Sequence, residues 1–431
     1  MPLLGWYGDD FTGATDTLAC LAEAGLRSML FPRVPSPAHI AAAGPLDALG
    51  IAGATRAMTP DAMAAELAPV ARFFAASDVR VLHYKCCSTF DSAPAIGSIG
   101  AAMRCLHPYF PNPLLPILGG QPNIGRYCLF SHLFASAGSG GAVHRLDRHP
   151  TMAVHPVTPM LESDLRRHLH AQGLHEIAAI HYPAYEAGAD RMAALLDGML
   201  RDAPSAILMD VARQADLAAI GRVLWKQAQR MPMLAVGPSS VAQSLAAVWS
   251  AGPAPKPGPL APAEGPVFVI VGSLSPVSRA QADASPSYAH VEIDADDMQA
   301  DGCGVTSVLE RVVSLLRSGR SVMLRTAPPA AGRVMQERAL AIARASADLL
   351  RRVMREIPLR RIGIAGGDTS SHAALALDIW GLAYRRSLAP GVALCALHSD
   401  VSELNGVEMM LKGGQMGPPA LFETLVHGTG D

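Results

Sequence analysis

Short apolar runs rich in Val, Ile, Leu and Ala recur along the whole chain, and each stops at Gly, Ser, Thr or Asp before a segment of helical character. Upstream they are LLGWY (3–7), SMLF (28–31), ALGIAG (48–53), RVLHYK (80–85), IAAIHY, AILMDV and MLAVGP; downstream they are VFVIVGS, HVEID, SVMLRT, RIGIAGG and VALCAL. Strands this short and this apolar are buried on both faces, and spacing them by helices predicts mostly parallel sheets flanked by helices, the α/β class. The rhythm is broken once, by AGPAPKPGPLAPAEGP at 251–266, which holds six prolines and no apolar periodicity. Such a segment reads as a stiff, extended linker. The expectation is therefore two domains, 1–250 and 267–431, joined by 251–266. The stretch 107–160 is rich in Pro, Gly and His and shows no long periodic run, so it is expected to be a loop-rich insertion bordering a site.

Composition narrows the class of function. The chain of 431 residues carries 35 Lys+Arg against 37 Asp+Glu, a formal net charge of -2, with no basic stripe. Phosphate neutralisation of the kind that nucleic-acid binding needs is not provided, so nucleic acid is not an expected partner. Half the residues are apolar and 17% are charged, which guarantees a core. Mean hydropathy is positive, yet no apolar run reaches the roughly 18 residues of a spanning helix, and no membrane association is expected. MPLLGWYGDD lacks the basic and long apolar regions of a signal peptide, which predicts a cytoplasmic protein. The seven Cys are scattered and form neither a disulfide framework nor a CxxC pattern, so reduced thiols are expected. No repeat of 20 to 50 residues is present. A homodimer is the assembly that size and apolar composition suggest.

The chemistry-bearing residues gather at strand ends, where open parallel sheets bind ligands. The first run ends in GDDFTGATD and opens a helix, placing Asp9, Asp10, Thr12 and Gly13 there. Adjacent carboxylates could receive sugar hydroxyls, act as a base or hold Mg²⁺; an ordinary helix N-cap by Asp10 or Thr12 is the competing explanation. A second run ends in HYKCCSTFDSAPAIGSIG, with Lys85, Ser88 and Thr89 just past the strand and Ser98 and Gly100 at a following helix start. Of the vicinal Cys86 and Cys87, at most one can look into a site, because consecutive strand residues face opposite sides. Lysine is scarce, only Lys85, Lys226, Lys256 and Lys412 among 35 basic residues, so a surviving lysine can mark a place where a compact ammonium is needed.

In the second half VIVGSLSPVSRAQ and RIGIAGGDTSSHAAL repeat a strand, small-residue turn and helix plan. Gly366 and Gly367 permit close backbone approach and the following N–H groups open a helix, a geometry suited to phosphate as well as to an ordinary tight turn. LKGGQMG, with Lys412 and Gly414, adds a third such segment. Neither a GxxxxGK[ST] loop nor GxGxxG after the first strand is present. HRLDRHPTMAVHP holds His144, Asp147, His149 and His155, but the spacing fits no helical or tetrahedral metal pattern and reads better as a substrate-facing loop; no metal-ligating residues are assigned.

Taken in order, these motifs resemble the four-carbon acid sugar kinase family over almost the whole chain. DDFTGA stands at Asp9–Ala14; the lysine-to-Ser-Thr signature corresponds to Lys85, Ser88 and Thr89; HPVTPM is similar to a middle segment; GSLSPVSRAQ, AGGDTS and KGGQMG resemble three C-terminal signatures. The resemblance implies an N-terminal domain holding a small acid sugar, a C-terminal domain holding ATP, and transfer of the γ-phosphoryl group across the cleft, with Mg²⁺. It implies that Asp9, Asp10, Thr12, Lys85, Ser88 and Thr89 surround the acid sugar. Ser273, Ser275, Gly366, Gly367, Asp368, Thr369 and Gly414 would surround ATP, with Lys412 near its phosphates. The base is Asp368, or Asp9 or Asp10 from the sugar side, with Asp368 preferred.

One segment departs from the pattern. Where the family often reads KIDSTLRGN this chain has KCCSTFDSA, so Cys87, Asp91 and Ser92 stand in place of Asp, Arg and Gly. A carboxylate replacing an anion-gripping arginine points away from plain threonate or erythronate and toward an oxidised or branched acid sugar, such as an oxo-tetronate or 3-oxo-isoapionate. Two other classes remain open: an NAD-dependent oxidoreductase of sugar acids, which the missing glycine fingerprint disfavours, and a non-catalytic sugar-acid-binding protein.

Overall fold

The computed structural model describes residues 2–138, 140–155, 157–250, 257–273, 275–293, 303–326 and 335–429. The chain divides into two compact units, Met1–Pro255 and Lys256–Asp431. The strands of the first are β1 (Leu4–Gly8), β2 (Ser28–Phe31), β3 (Ala48–Ala52), β4 (Val81–Lys85), β5 (Pro116–Gln121), β6 (Arg126–Leu129), β7 (His132–Ser136), β8 (Val143–Arg145), β9 (Ile177–Ile180), β10 (Ala206–Asp210) and β11 (Met233–Gly237). Eight of these run parallel in the order β2-β3-β1-β4-β11-β5-β10-β9. Their residues are almost all buried, as expected for a sheet covered on both faces.

Register decides where the site can be. Gly8 of β1 lies level with Ala52 of β3 and Lys85 of β4, and Lys85 with Gly237 of β11. Four strands thus end on one line. The chain leaves β1 toward β2 on one side and leaves β4 toward β5 on the other, so the gap between the carboxyl ends of β1 and β4 is a topological switch point.

The second unit adds β12 (Phe268–Val271), β13 (Tyr288–Ile293), β14 (Ser321–Thr326), β15 (Arg361–Ala365), β16 (Gly381–Ala389), β17 (Val392–His398) and β18 (Glu408–Lys412). Five are parallel, β13-β14-β12-β15-β18, and antiparallel β17 and β16 extend the sheet beyond β18. Val271, Ala365 and Lys412 are level. From β12 the chain departs toward β13 and from β15 toward β16, so this unit also has its switch point, between β12 and β15.

Three readings need correction. The stretch 107–160 is not chiefly loop: it contains the central parallel strand β5 and an antiparallel meander β5-β6-β7-β8. Pro116 is the first residue of β5, where a missing N–H is tolerated, so proline there does not forbid a strand. VALCAL is an antiparallel strand, with β16 and β18 beside it unforeseen because their charged ends blur the apolar run. Of the supposed linker, 251–256 lie outside the described residues, while 257–266 are tied to the second unit: Leu260 is buried in its apolar cluster and exchanges hydrogen bonds with Thr429, and Ala263 N–H donates to the Val426 carbonyl.

Helix Asp216–Arg230 packs on helix Ser240–Trp249 by close approach at Gly221, where an added Cβ would sit 1.8 Å from the Ser244 carbonyl oxygen. Gly221→Ala is expected to destabilise the protein by about 2 kcal/mol or more, since backbone rather than a flexible side chain must yield. A urea midpoint unchanged from the parent would overturn this.

Candidate active site

In the first unit β1 delivers Asp9 and Asp10 directly into the switch-point gap. Asp10 N-caps helix Phe11–Glu23, accepting from the Gly13 N–H at 2.8 Å and from Thr12 Oγ1 at 2.5 Å. The N-cap explanation is therefore right for Asp10. It does not account for Asp9, whose oxygens accept from Arg56 Nε (3.2 Å) and Nη2 (2.8 Å), while Arg56 Nη1 reaches Asp10 at 2.9 Å. One guanidinium clamps both carboxylates, the fork geometry that lysine cannot supply.

Lys85 is buried at the end of β4 and donates to the Cys86 carbonyl. Its ammonium converges with Asp10 on Gly13, where an added Cβ would meet Lys85 Nζ at 2.2 Å and Asp10 Oδ1 at 2.7 Å. Two carboxylates and two cations form a nearly dry cluster with no net charge. Burial pushes the Asp9 carboxyl above its ordinary range despite Arg56. Asp10 is equally buried, but Arg56, Lys85 and the Thr12 and Gly13 donors outweigh that cost and hold it below the usual carboxylate value. Lys85 loses solvation too, yet Asp9 and Asp10 raise it, so it stays charged.

Of the other expected residues, Ser88 is half-buried with no hydrogen-bond partner among the described residues, while Thr89 Oγ1 donates to Asp91 Oδ1 at 2.7 Å and lies 3.1 Å from Cys87 Sγ. Phe90, at φ 55, forces the sharp turn that presents them. Ser98 caps helix Ile99–Leu106 and belongs to a buried network with Gln172 and, through it, Ser92 and His168. His149 spends Nδ1 on the Thr151 and Met152 N–H groups, and its Nε2 meets the Ser136 carbonyl; Asp147 pairs with Arg145 on the surface.

Sequence reasoning missed Arg56, which lies on the short helix Thr55–Ala57, four residues past the end of β3. Applying the strand-end rule to ALGIAG would have found it. Asp16, Gln121 and Ser239 were also missed: Asp16 Oδ2 accepts from Gln121 Nε2 (2.9 Å) and Ser239 Oγ (2.5 Å), tying helix Phe11–Glu23 to the ends of β5 and β11.

The second unit builds its site from backbone. Ser275 N-caps helix Pro276–Asp283 and Ser273 Oγ accepts from the Ser275 N–H. Gly272 and Ser273 N–H groups donate to the Ala365 carbonyl, and Gly366 N–H to that of Lys412. Gly366 has φ 127 and precedes helix Gly367–Ala376, a conformation closed to other residues. Thr369 fills the space a Cβ on Gly272 would need, 2.2 Å from its Oγ1, and Ser273 Oγ lies 2.6 Å from where a Cβ on Gly414 would be. Ser273, Gly366, Gly367, Thr369 and Gly414 are thus brought together around a helix N-terminus. The Asp368 backbone opens that helix; its side chain lies outside what is described.

Lys412 is not on the surface of this cradle. It is fully buried beneath it, donating to Ser278 Oγ at 2.8 Å, with Ser278 Oγ in turn donating to the Gly414 carbonyl and Phe422 5.8 Å below the ammonium. Burial lowers its pKa to about 7. Gln281 Nε2 reaches the Met416, Gly417 and Pro418 carbonyls and fixes the rest of that loop.

Residues 4–245 match the family described as "Sugar-binding N-terminal domain" and 268–422 that described as "Nucleotide-binding C-terminal domain". The chain is 35% identical to the 3-oxo-isoapionate kinase of Paraburkholderia graminis, over 99% of this chain and 94% of that one. It is 28% identical to the 3-oxo-tetronate kinase of Cupriavidus necator, over 100% and 98%. Solved structures from Salmonella typhimurium LT2 (TM-score 0.78, 97% and 98% covered) and Haemophilus influenzae (TM-score 0.70, 98% of both) share the fold at 23% identity. The chain belongs to the four-carbon acid sugar kinase family. Among the described residues no helix is long and apolar enough to cross a membrane.

The lowered Lys412 value has a measurable consequence. The unfolded chain takes up this proton below about 10.5 and the folded chain only below about 7, so stability falls as pH drops from about 10.5 to about 7 and is level below that. Lys412→Met is expected to remove this slope; stability curves of parent and variant that run parallel between pH 7 and 10 would contradict it.

Proposed function

We propose that the chain transfers the terminal phosphoryl group of ATP to a hydroxyl of an oxidised, branched acid sugar of the 3-oxo-isoapionate kind. It is a sugar-acid kinase, and the observation that supports this particular substrate best is the 35% identity to a 3-oxo-isoapionate kinase along 99% of the chain. The KCCSTFDSA departure is consistent with a substrate other than a plain tetronate.

The roles of the residues follow from their chemistry. Asp9, Asp10 and Lys85 would hold hydroxyl and carbonyl groups of the sugar, with Thr12, Ser88 and Thr89 adding neutral donors and acceptors at its edge. Ser273, Ser275, Gly366, Gly367, Thr369 and Gly414 would receive the nucleotide phosphates, since N–H groups at a helix N-terminus favour anions. Lys412 would add positive charge from beneath, an arrangement strengthened when the phosphates raise its proton affinity. Mg²⁺ would neutralise charge on the phosphates. Among the described residues no cluster of three carboxylate, His or Cys groups could hold it alone, which suits an ion that arrives bound to the nucleotide and keeps most of its water.

Proton removal from the accepting hydroxyl is assigned to Asp368, at the phosphate cradle. Asp9 is the second candidate, because burial has already raised its affinity for a proton. Asp368→Asn is expected to lower kcat at least about 100-fold while the KM for the acid sugar stays within about threefold. Near-normal turnover would move the role to Asp9. For the reaction as a whole, ADP release with ATP, Mg²⁺ and a panel of acids should be fastest on 3-oxo-isoapionate or a 3-oxo-tetronate. Best turnover on plain threonate or erythronate would refute the substrate class, and a nicotinamide absorbance change without ADP release would refute the kinase.

A further inference from the structure

The Asp9–Asp10–Arg56–Lys85 cluster is already neutral, so it offers no surplus charge to the carboxylate of an acid sugar. A buried cation of the same unit with no ion-pair partner among the described residues is Arg126. It is the first residue of β6, paired with Gln121 at the carboxyl end of β5, and Gln121 in turn is bonded to Asp16 on the helix that Asp10 caps. Arg126 is only 6% exposed. Among the described residues a single side-chain hydrogen bond anchors it, Nη1 to the Ile124 carbonyl at 2.7 Å. Nε is buried with no hydrogen-bond partner, and no carboxylate among the described residues lies within ion-pair distance of the guanidinium.

A guanidinium stays charged at any accessible pH, so an arginine left this way retains an unmet electrostatic and hydrogen-bonding demand. Its surroundings point toward the sugar site rather than away from it. Asp91, on the turn after β4, is near enough to favour the charged form of Arg126. The turn after β4 thus lies near Arg126, and it carries half-buried Ser88. Asp91 Oδ1 accepts from Thr89 Oγ1, and this carboxylate forms no ion pair with the guanidinium among the described residues.

We propose that Arg126 binds the carboxylate of the acid sugar, its Nε and a terminal nitrogen forming the two-point grip that planar carboxylates prefer. This rests on the sugar-acid reading above and adds the specificity-determining cation to it. The remaining hydroxyls and the oxo group then fall toward Ser88, Lys85 and Asp9.

The test separates this assignment from the kinase reading. With 3-oxo-isoapionate as probe, Arg126→Gln is expected to raise the KM for the acid about 100-fold and Arg126→Lys about tenfold, as losing charge or only the fork would. The KM for ATP should stay within about twofold in both. The parent should prefer the acid strongly over its uncharged methyl ester, and Arg126→Gln should abolish that preference. Unchanged acid KM and unchanged preference would overturn the proposal, as would a loss of thermal stability with equal damage to the ATP KM and the preference intact. Should the parent turn over no acid at all, the kinase reading fails, and calorimetric titration with 3-oxo-isoapionate decides Arg126 separately: weaker binding by Arg126→Gln supports it and equal binding refutes it.

Discussion

Two carboxylates on consecutive residues, at the end of a strand buried on both faces, cannot be left uncompensated. Each would cost several kcal/mol in a dry environment. Arg56 clamps both and Lys85 stands beside them, and these two cations come from the ends of the strands on either side of β1. Compensation is therefore possible only if β3, β1 and β4 end at one level, which the Gly8, Ala52 and Lys85 register achieves. The carboxyl end of the first unit's sheet is organised by this requirement, down to Gly13, whose missing side chain makes room for the ammonium.

The second unit solves a different problem with different means. A chain of phosphates is held better by many fixed N–H dipoles than by a few mobile charges, and here three loops interlock through Gly272, Gly366, Thr369 and Gly414 rather than through ion pairs. The buried Lys412 faces a serine hydroxyl and an aromatic ring instead of a carboxylate. That lets it titrate near pH 7 and makes it responsive to whatever charge settles above it. The first unit balances Asp9 and Asp10 in advance, whereas the second leaves Lys412 able to respond.

Much of this was legible in the chain. Alternating apolar runs and helices specify a parallel sheet because both patterns are local, and strand-end placement of Asp9, Asp10, Lys85, Ser273 and Gly366 follows once the runs are recognised. Arg56 was hidden because nothing near it in sequence resembles a motif; it matters only because β3 lies next to β1. Arg126 was hidden for a second reason. Pro116, Gly119 and Gly120 disguised β5 as loop, and with β5 unseen the meander that carries Arg126 had no anchor. The depth of Lys412 was not legible: a lysine beside glycines reads as lying near phosphates, and burial is a property of what packs over it.

What the sequence determined by itself is the class of fold, the places where strands end and the kind of group found there, since hydrophobic period and turn chemistry act over a few residues. Tertiary structure alone decided which strand ends are neighbours, and so which charges cancel. It set Arg56 against Asp9 and Asp10, left Arg126 without an ion-pair partner among the described residues and sank Lys412 beneath its loop. These are consequences of strand order and register, which bring together residues tens of positions apart, and no local pattern encodes them.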